Sequence, residues 1–300
     1  MKFSIYQSSR KGPRAHNQDR LAYAYSRDAV LMVLADGMGG HRHGEVAARM
    51  AVKTLTEDFK KRAVDLLPHP GRYLMEQIQI IHQALHQLKH TQHMLEAPCT
   101  TIVAAIIQQH RLYTAHVGDS RLYHFRSGRS IYHTEDHSVV QKMFRQGLLH
   151  RDEMARHPER HKIYNCLGSS HTPKIELTPP RKLMDGDILL LCSDGLWSGL
   201  SEEQMAEMIY QHPVDIAIPR MLETAEEQNG SEGDNASAIG LRLGQAELML
   251  SSHDMAMGAI TTILNPVTES AGQAEDVELS EAQIDLAIAE IQAAISKSRG

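Results

Sequence analysis

Four aspartates, Asp36, Asp119, Asp194 and Asp234, each stand beside a glycine at the end of, or just before, an apolar stretch, with no lysine or arginine as immediate neighbour. Taken singly, Asp-Gly after a strand is turn chemistry, because the carboxylate bonds its own backbone and glycine takes positive φ. Two features favour a shared role. Apolar strands from different regions of the chain end in the same way, which would bring the carboxylates to one sheet edge. Asp36 and Asp194 also lead into glycine loops and helices, not into the second strand of a hairpin. Carboxylates gathered in this way repel, and their pKa values rise unless a cation neutralises them. Ligation by carboxylates and backbone carbonyls suits Mg²⁺ or Mn²⁺. Two such ions sharing a water lower its pKa and clamp an in-line phosphoryl displacement, so the chemistry implied is phosphate-ester hydrolysis. Such a reaction also wants a cation for the non-bridging oxygens, and Arg14, in a polar loop at 8–20, offers a bidentate fork.

The elements that must position these groups show as periodicities. A continuous apolar run at 30–35 reads as a buried strand ending on Asp36-Gly37-Met38-Gly39-Gly40-His41, and 188–192 repeats the device before Ser193-Asp194-Gly195. Short strands at 3–7 and 21–25 flank the Arg14 loop. A helix from Gly44 carries Val46, Met50, Ala51, Leu55 and Phe59 at the 3.6-residue period, and a second, at 72–94, carries Leu74, Ile78, Ile81, Leu85 and Leu88. His82, His86, His90 and His93 make a second stripe on that helix. With no carboxylate or cysteine at ligand spacing, they read as a solvated flank in preference to a metal site. Short connections at Gln109-His110 and Gly118-Asp119 predict that 100–108, 111–117 and 120–125 are antiparallel neighbours. Residues 136–168 turn helical, polar and basic, with Arg151, Arg156, Arg160, His157 and His161. Helices at 201–210 and 214–228 precede a last alternating strand at 236–243.

Composition bounds the class. The chain has 300 residues, 42% hydrophobic and 23% charged, with a net charge of −6 and 5% aromatic residues. Those values fit a globular protein and give no drive toward nucleic acid. Cys99, Cys166 and Cys192 are dispersed beside apolar residues and read as reduced core residues. The first residues lack a signal-peptide pattern, and no apolar run has the length of a membrane span, so a soluble cytoplasmic protein with no membrane partner is expected. Residues 245–280 read as a connecting segment and linker. A terminal helix at 281–300 follows, with Ile284, Ile288, Ile291 and Ile295 on one stripe suited to partner docking, self-association or packing on the body.

The phrases Arg14…Asn17-Gln18-Asp19, Ala35-Asp36-Gly37-Met38-Gly39-Gly40-His41, Val117-Gly118-Asp119-Ser120-Arg121, Asp136-His137-Ser138, Ser193-Asp194-Gly195-Leu196-Trp197 and Gly233-Asp234-Asn235 occur in one order. Together they closely resemble the bacterial metal-dependent protein serine/threonine phosphatases of the PPM, or 2C-type, family, over residues 1–244. The resemblance implies an α+β fold, an α-β-β-α four-layer sandwich of two antiparallel sheets flanked by helix pairs, with the helical extension after it. It implies hydrolysis of phosphoserine and phosphothreonine on proteins by a water bridging two Mn²⁺ or Mg²⁺ ions, the substrates being those of a cognate serine/threonine kinase. Asp36 would bridge the ions, with the Gly37 carbonyl on one and Asp194 and Asp234 on the other. Asp119 would serve a further, weaker ion, Asp19 would hold metal-bound water, and Arg14 would bind the phosphate. The segment 136–168 resembles the family's flap. Gln18 stands where many members have Glu, and Met38 where eukaryotic members carry a proposed acid histidine, which leaves the proton donor open, His41 included.

Rival readings lack their residues. A cysteine phosphatase needs Arg six positions after Cys, where this chain has Ala105, Thr172 and Ser198. Asp185-Gly186-Asp187 precedes a strand and does not follow one, and there is no P-loop. A catalytically weak or inactive phosphoprotein-binding member of the same fold is the alternative, and loss of a metal aspartate would be its signature.

Overall fold

The computed structural model describes residues 1–38, 43–63, 66–154, 156–244 and, for the main chain, 260–264. Its strands are β1 (Phe3–Arg10), β2 (Asp19–Tyr25), β3 (Ala29–Asp36), β4 (Ile102–Gln108), β5 (Arg111–Val117), β6 (Arg121–Arg126), β7 (Arg129–His133), β8 (Glu176–Lys182), β9 (Ile188–Cys192), β10 (Ala236–Leu243) and β11 (Ile260–Leu264). Its helices are α1 (Gly44–Arg62), α2 (Pro70–Thr91), α3 (Val139–Arg145), α4 (Arg151–Met154), α5 (Asp194–Trp197), α6 (Glu202–Gln211) and α7 (Val214–Asn229).

Side-chain alternation explains the layering. In β3, Leu31, Val33 and Ala35 pack toward α1 and α2, while Val30, Met32 and Leu34 enter a second core with Val103, Leu189, Leu191 and Ile239 between the sheets. In β9, Ile188, Leu190 and Cys192 face α5, α6 and α7. Strands buried on both faces read as continuous apolar runs, which is why 30–35 and 188–192 lack polar alternation. The result is two antiparallel sheets, β1-β10-β9-β6-β7 and β11-β2-β3-β4-β5-β8, between helix pairs. The predicted helix stripes, Leu55 and Phe59 in α1 and Ile78, Ile81 and Leu85 in α2, are fully buried. Each such side chain contributes about 1.5–3 kcal/mol of burial. No helix among the described residues is long and apolar enough to cross a membrane.

Three differences from the sequence reading have physical causes. β5 and β6 are not neighbours: β4 pairs with β5 and β6 with β7, and the Gly118-Asp119 connection crosses from one sheet to the other. Gly118 makes that crossing at φ +106°, and a Cβ there would lie 2.6 Å from Thr101 Cβ, a position open only to glycine. β8 was not expected because it contains Pro179-Pro180. It is an edge strand, and the prolines fall where its register with β5 shifts between Leu112 and Thr114, so no ladder N–H is missed. β11 lies inside the segment read as connecting, and extends the six-stranded sheet by pairing with β2. The terminal helix at 281–300 and most of the linker lie outside the described residues.

Candidate metal centre

The antiparallel register of β2 and β3 sets Asp19 directly opposite Asp36. Asp36 is locked through its main chain: its N–H donates to Thr101 Oγ1 at 3.1 Å, and its carbonyl accepts from Thr101 N and Thr100 Oγ1, each at 2.8 Å. Gly37 then donates to the Gln18 carbonyl, and Met38 N–H to the Cys99 carbonyl. A Cβ on Gly37 would come within 2.3 Å of the Gly44 carbonyl oxygen. The Asp-Gly phrase therefore permits close approach of the strand end to the start of α1. Gly39, Gly40 and His41 lie outside the described residues.

The second sheet brings its acids to the same place. Asp194 opens α5 directly after β9, and Asp234 precedes β10, the strand paired with β9. Ser193 Oγ donates to Asp19 Oδ2 at 2.7 Å and accepts from Ser237 N at 2.9 Å, a buried link between the sheets. Asn235 donates to the Lys11 and His16 carbonyls and accepts from Gln18 N, so it shapes the loop that carries Arg14. Arg14 Nη2 lies 2.9 Å from Asp234 Oδ2, and its Nε donates to the Gly233 carbonyl. Asp119 occupies the crossing between β5 and β6, and its carbonyl accepts from Trp197 Nε1 at 3.0 Å.

The acids feel one another. Burial, followed by repulsion from Asp19, Asp194, Asp119 and Asp234, holds the Asp36 carboxyl well above the usual range. Burial, then Asp119, Asp234 and Asp19, does the same to Asp194. Asp19 is pushed up to about 6, chiefly by burial, against the hydrogen bonds from Ser237 and Ser193. Asp119 is pushed up to about 7 by burial and by Asp136, with Arg121 opposing. Asp19 Oδ1 and Asp194 Oδ1 are buried without a hydrogen-bond partner. Such atoms are costly unless a donor or cation meets them. An all-oxygen set with excess negative charge fits hard divalent ions. Among the described residues no three side chains already form a closed ligand shell; the mutual repulsion and the orphaned oxygens carry the fit.

The predicted residues Arg14, Asp19, Asp36, Gly37, Asp119, Asp194 and Asp234 thus come together at one end of the sandwich. Sequence reasoning gave no role to Ser193, Ser237 and Asn235, although two of them stand inside the quoted phrases. It also missed His161, whose Nδ1 reaches 4.0 Å from Asp194 Oδ2. Burial, then the positive charge of Arg160, lowers the pKa of that imidazole. Nothing local in 156–162 marks His161 apart from its basic neighbours. The histidine stripe is not simply solvated either: His82 Nδ1 accepts from Gly168 N at 3.1 Å and His86 Nε2 bonds the Ser169 carbonyl at 2.9 Å.

Residues 7–232 match the family described as "Protein phosphatase 2C". The serine/threonine phosphatase stp of Listeria innocua is 32% identical over 206 residues, covering 68% of this chain and 81% of that protein. The serine/threonine phosphatase of S. agalactiae superposes with a TM-score of 0.74 at 28% identity, covering 81% of this chain and 100% of that one. The catalytic domain of the serine/threonine protein phosphatase PstP, solved in complex with two manganese ions, superposes with a TM-score of 0.66 at 28% identity, covering 81% and 99%. With its layered fold, its converging aspartates and a match across most of its length, this chain belongs to the protein phosphatase 2C family.

Proposed function

We propose that the protein hydrolyses phosphoserine and phosphothreonine monoesters on proteins, using two Mn²⁺ or Mg²⁺ ions held by Asp36, the Gly37 carbonyl, Asp194 and Asp234, with Asp119 serving a further, weaker ion. The observation that carries the reading is the repulsion of Asp36 by acids from both sheets beside orphaned oxygens on Asp19 and Asp194. Bound there, the ions supply Lewis acidity, lowering the pKa of water and neutralising charge on the phosphoryl oxygens.

The chain's own residues do the rest. Asp36, facing acids of both sheets from a rigid strand end, would hold an ion together with the Gly37 carbonyl that follows it on the same locked main chain. Asp19, with Oδ2 fixed by Ser193, keeps Oδ1 as an acceptor that orients a water O–H. Arg14 stands half-exposed at Asp234, where its N–H fork can take phosphoryl oxygens. Met38 has no proton to give the leaving alkoxide. The substrates are phosphoproteins, and we assign them to a cognate serine/threonine kinase in the cytoplasm.

The deciding assay compares hydrolysis of an aryl phosphate and a phosphothreonine peptide with Mn²⁺, Mg²⁺ or EDTA. Turnover of both substrates only with a divalent ion is expected, and equal activity in EDTA overturns the reading. Arg14→Ala is expected to raise KM for the peptide about tenfold or more, the loss of a charge-assisted pair of hydrogen bonds. The thermal midpoint should hold, because a half-exposed ion pair contributes about 0–1 kcal/mol. An unchanged KM would remove Arg14 from the phosphate site.

A further inference from the structure

Asp136-His137-Ser138 is a phrase with no part in the chemistry above, yet both its first residues are buried. His137 grips Gly118 twice: its main-chain N–H donates to the Gly118 carbonyl at 2.9 Å, and its Nδ1 accepts from Gly118 N at 3.1 Å. The same Nδ1 lies 2.7 Å from Asn165 Nδ2, and Asn165 Oδ1 accepts from Lys174 N, which fixes the amide's orientation. Nδ1 therefore faces donors only and carries no proton; the imidazole is the Nε2–H tautomer. On the other side of the crossing, Asp136 takes both Nε and Nη2 of Arg121, at 2.8 and 2.7 Å. The Arg121 guanidinium lies 3.7 Å over the Trp197 ring, and the indole N–H of Trp197 donates to the Asp119 carbonyl. Trp197 sits on the short helix that Asp194 opens. These contacts close a ring, Asp136–Arg121–Trp197–Asp119–Gly118–His137, around the peptide that crosses between the sheets.

We propose that the Asp136-His137 pair, at the root of the 136–168 segment, fixes Asp119 relative to Asp194 and so sets the affinity for the weakest-held divalent ion. His137 and Trp197 are positioning residues; neither touches the reacting atoms. The inference rests on the two-ion phosphatase reading. The main-chain contact at Thr100 and Thr101 locks Asp36, but Asp119 has no strand neighbour of its own, because Gly118-Asp119 lies between β5 and β6. Its placement depends on the groups that grip it. The root is also tied across its own base, where Ser138 bridges to Ile163 and Tyr164 N donates to the His137 carbonyl. A displacement of the 136–168 segment therefore reaches Asp119 through His137.

The test uses the full-length chain and its single tryptophan, Trp197, as a binding reporter independent of turnover. Mn²⁺ and Mg²⁺ are titrated while Trp197 fluorescence and phosphothreonine-peptide hydrolysis are followed. His137→Leu is expected to raise the ion concentration for half-maximal activity about tenfold or more, the usual effect of losing a group that orients a metal ligand. The weakest phase of the fluorescence titration should move with it. His137→Asn, whose Oδ1 can replace the Nδ1 acceptor, is expected to stay within about threefold of wild type. A folded His137→Leu variant with both midpoints unmoved overturns the proposal. If that variant does not fold, Trp197→Phe decides, read by calorimetric Mn²⁺ titration: weakening of the last ion by about tenfold supports the ring, and unchanged binding overturns it. Wild type that shows the fluorescence titration but hydrolyses neither substrate would refute the phosphatase reading, while His137→Leu and His137→Asn still decide this one through fluorescence.

Discussion

Asp36→Asn is expected to lower kcat for a phosphothreonine peptide by about three orders of magnitude, roughly 4 kcal/mol of transition-state stabilisation. The amide keeps the shape of the side chain, and the main-chain bonds of Asp36 to Thr100 and Thr101 do not involve the carboxyl. What it removes is the one charge opposed by Asp19, Asp194, Asp119 and Asp234 together. The same repulsion gives the variant a second signature. Without divalent ions, the substitution relieves a buried like-charge contact, so its thermal midpoint should equal or exceed that of wild type at pH 8. Addition of Mn²⁺ should raise the wild-type midpoint and leave the variant's almost unmoved. Steady-state kinetics with melting curves in EDTA and in Mn²⁺ check both parts. A variant that keeps kcat within about tenfold of wild type would exclude Asp36 as a bridging ligand.

The second large effect is a reversal in the pH dependence of stability. Asp119 is raised to about 7, and Asp36 and Asp194 are raised well above the usual range. All are acids whose folded value exceeds the unfolded one, so the folded chain holds the extra protons as pH rises. Stability is then lost across that window, by about 1.4 kcal/mol for every tenfold difference in proton affinity between the folded and unfolded chain. Buried histidines act with the opposite sign. His137, lowered to about 4, and His82, His116 and His124, also lowered, add stability as pH climbs toward 6.5. The same histidines are half protonated in the unfolded chain at pH 6.5 and neutral in both states only from about pH 7.5, so up to that point they oppose the acids. In EDTA the acid contribution is isolated by comparison with Asp119→Asn, against which the wild-type midpoint should fall between about pH 5 and 8. With Mn²⁺ the order reverses, since deprotonated ligands bind the ion more tightly and saturation at about a hundredfold over Kd adds about 2.7 kcal/mol. Scanning fluorimetry over that interval is sufficient. A Mn²⁺-induced shift larger at pH 6.5 than at pH 8 would contradict the carboxylate origin.

The buried strands and the gathering of acids could be read from the residues, because apolar runs from different regions end alike, whereas the four-layer order came only with the family resemblance. The parts that were not legible depend on partners far away in the chain. Whether Gly118-Asp119 closes a hairpin or crosses between sheets is decided by Thr101 and Trp197, distant residues that no window around position 118 contains. Pro179-Pro180 argues against a strand until its edge position and shifted register are known. His82 and His86 share a helix face that looks solvated, and only the fold brings the loop at 168–169 across it. His161 reaches Asp194 through the path of the 136–168 segment, which has no periodicity to predict it.

The Ser193 hydroxyl that joins Ser237 on one sheet to Asp19 on the other has a consequence for synthesis. The groups that meet there are spread from Arg14 to Asp234, and each sheet takes strands from both halves of the sequence. A nascent chain on the ribosome can complete neither sheet, nor close that link, until β10 has emerged. Cation capture and phosphatase activity therefore arrive together and late. Prematurely terminated products would carry some of the acids without the second sheet that gathers them.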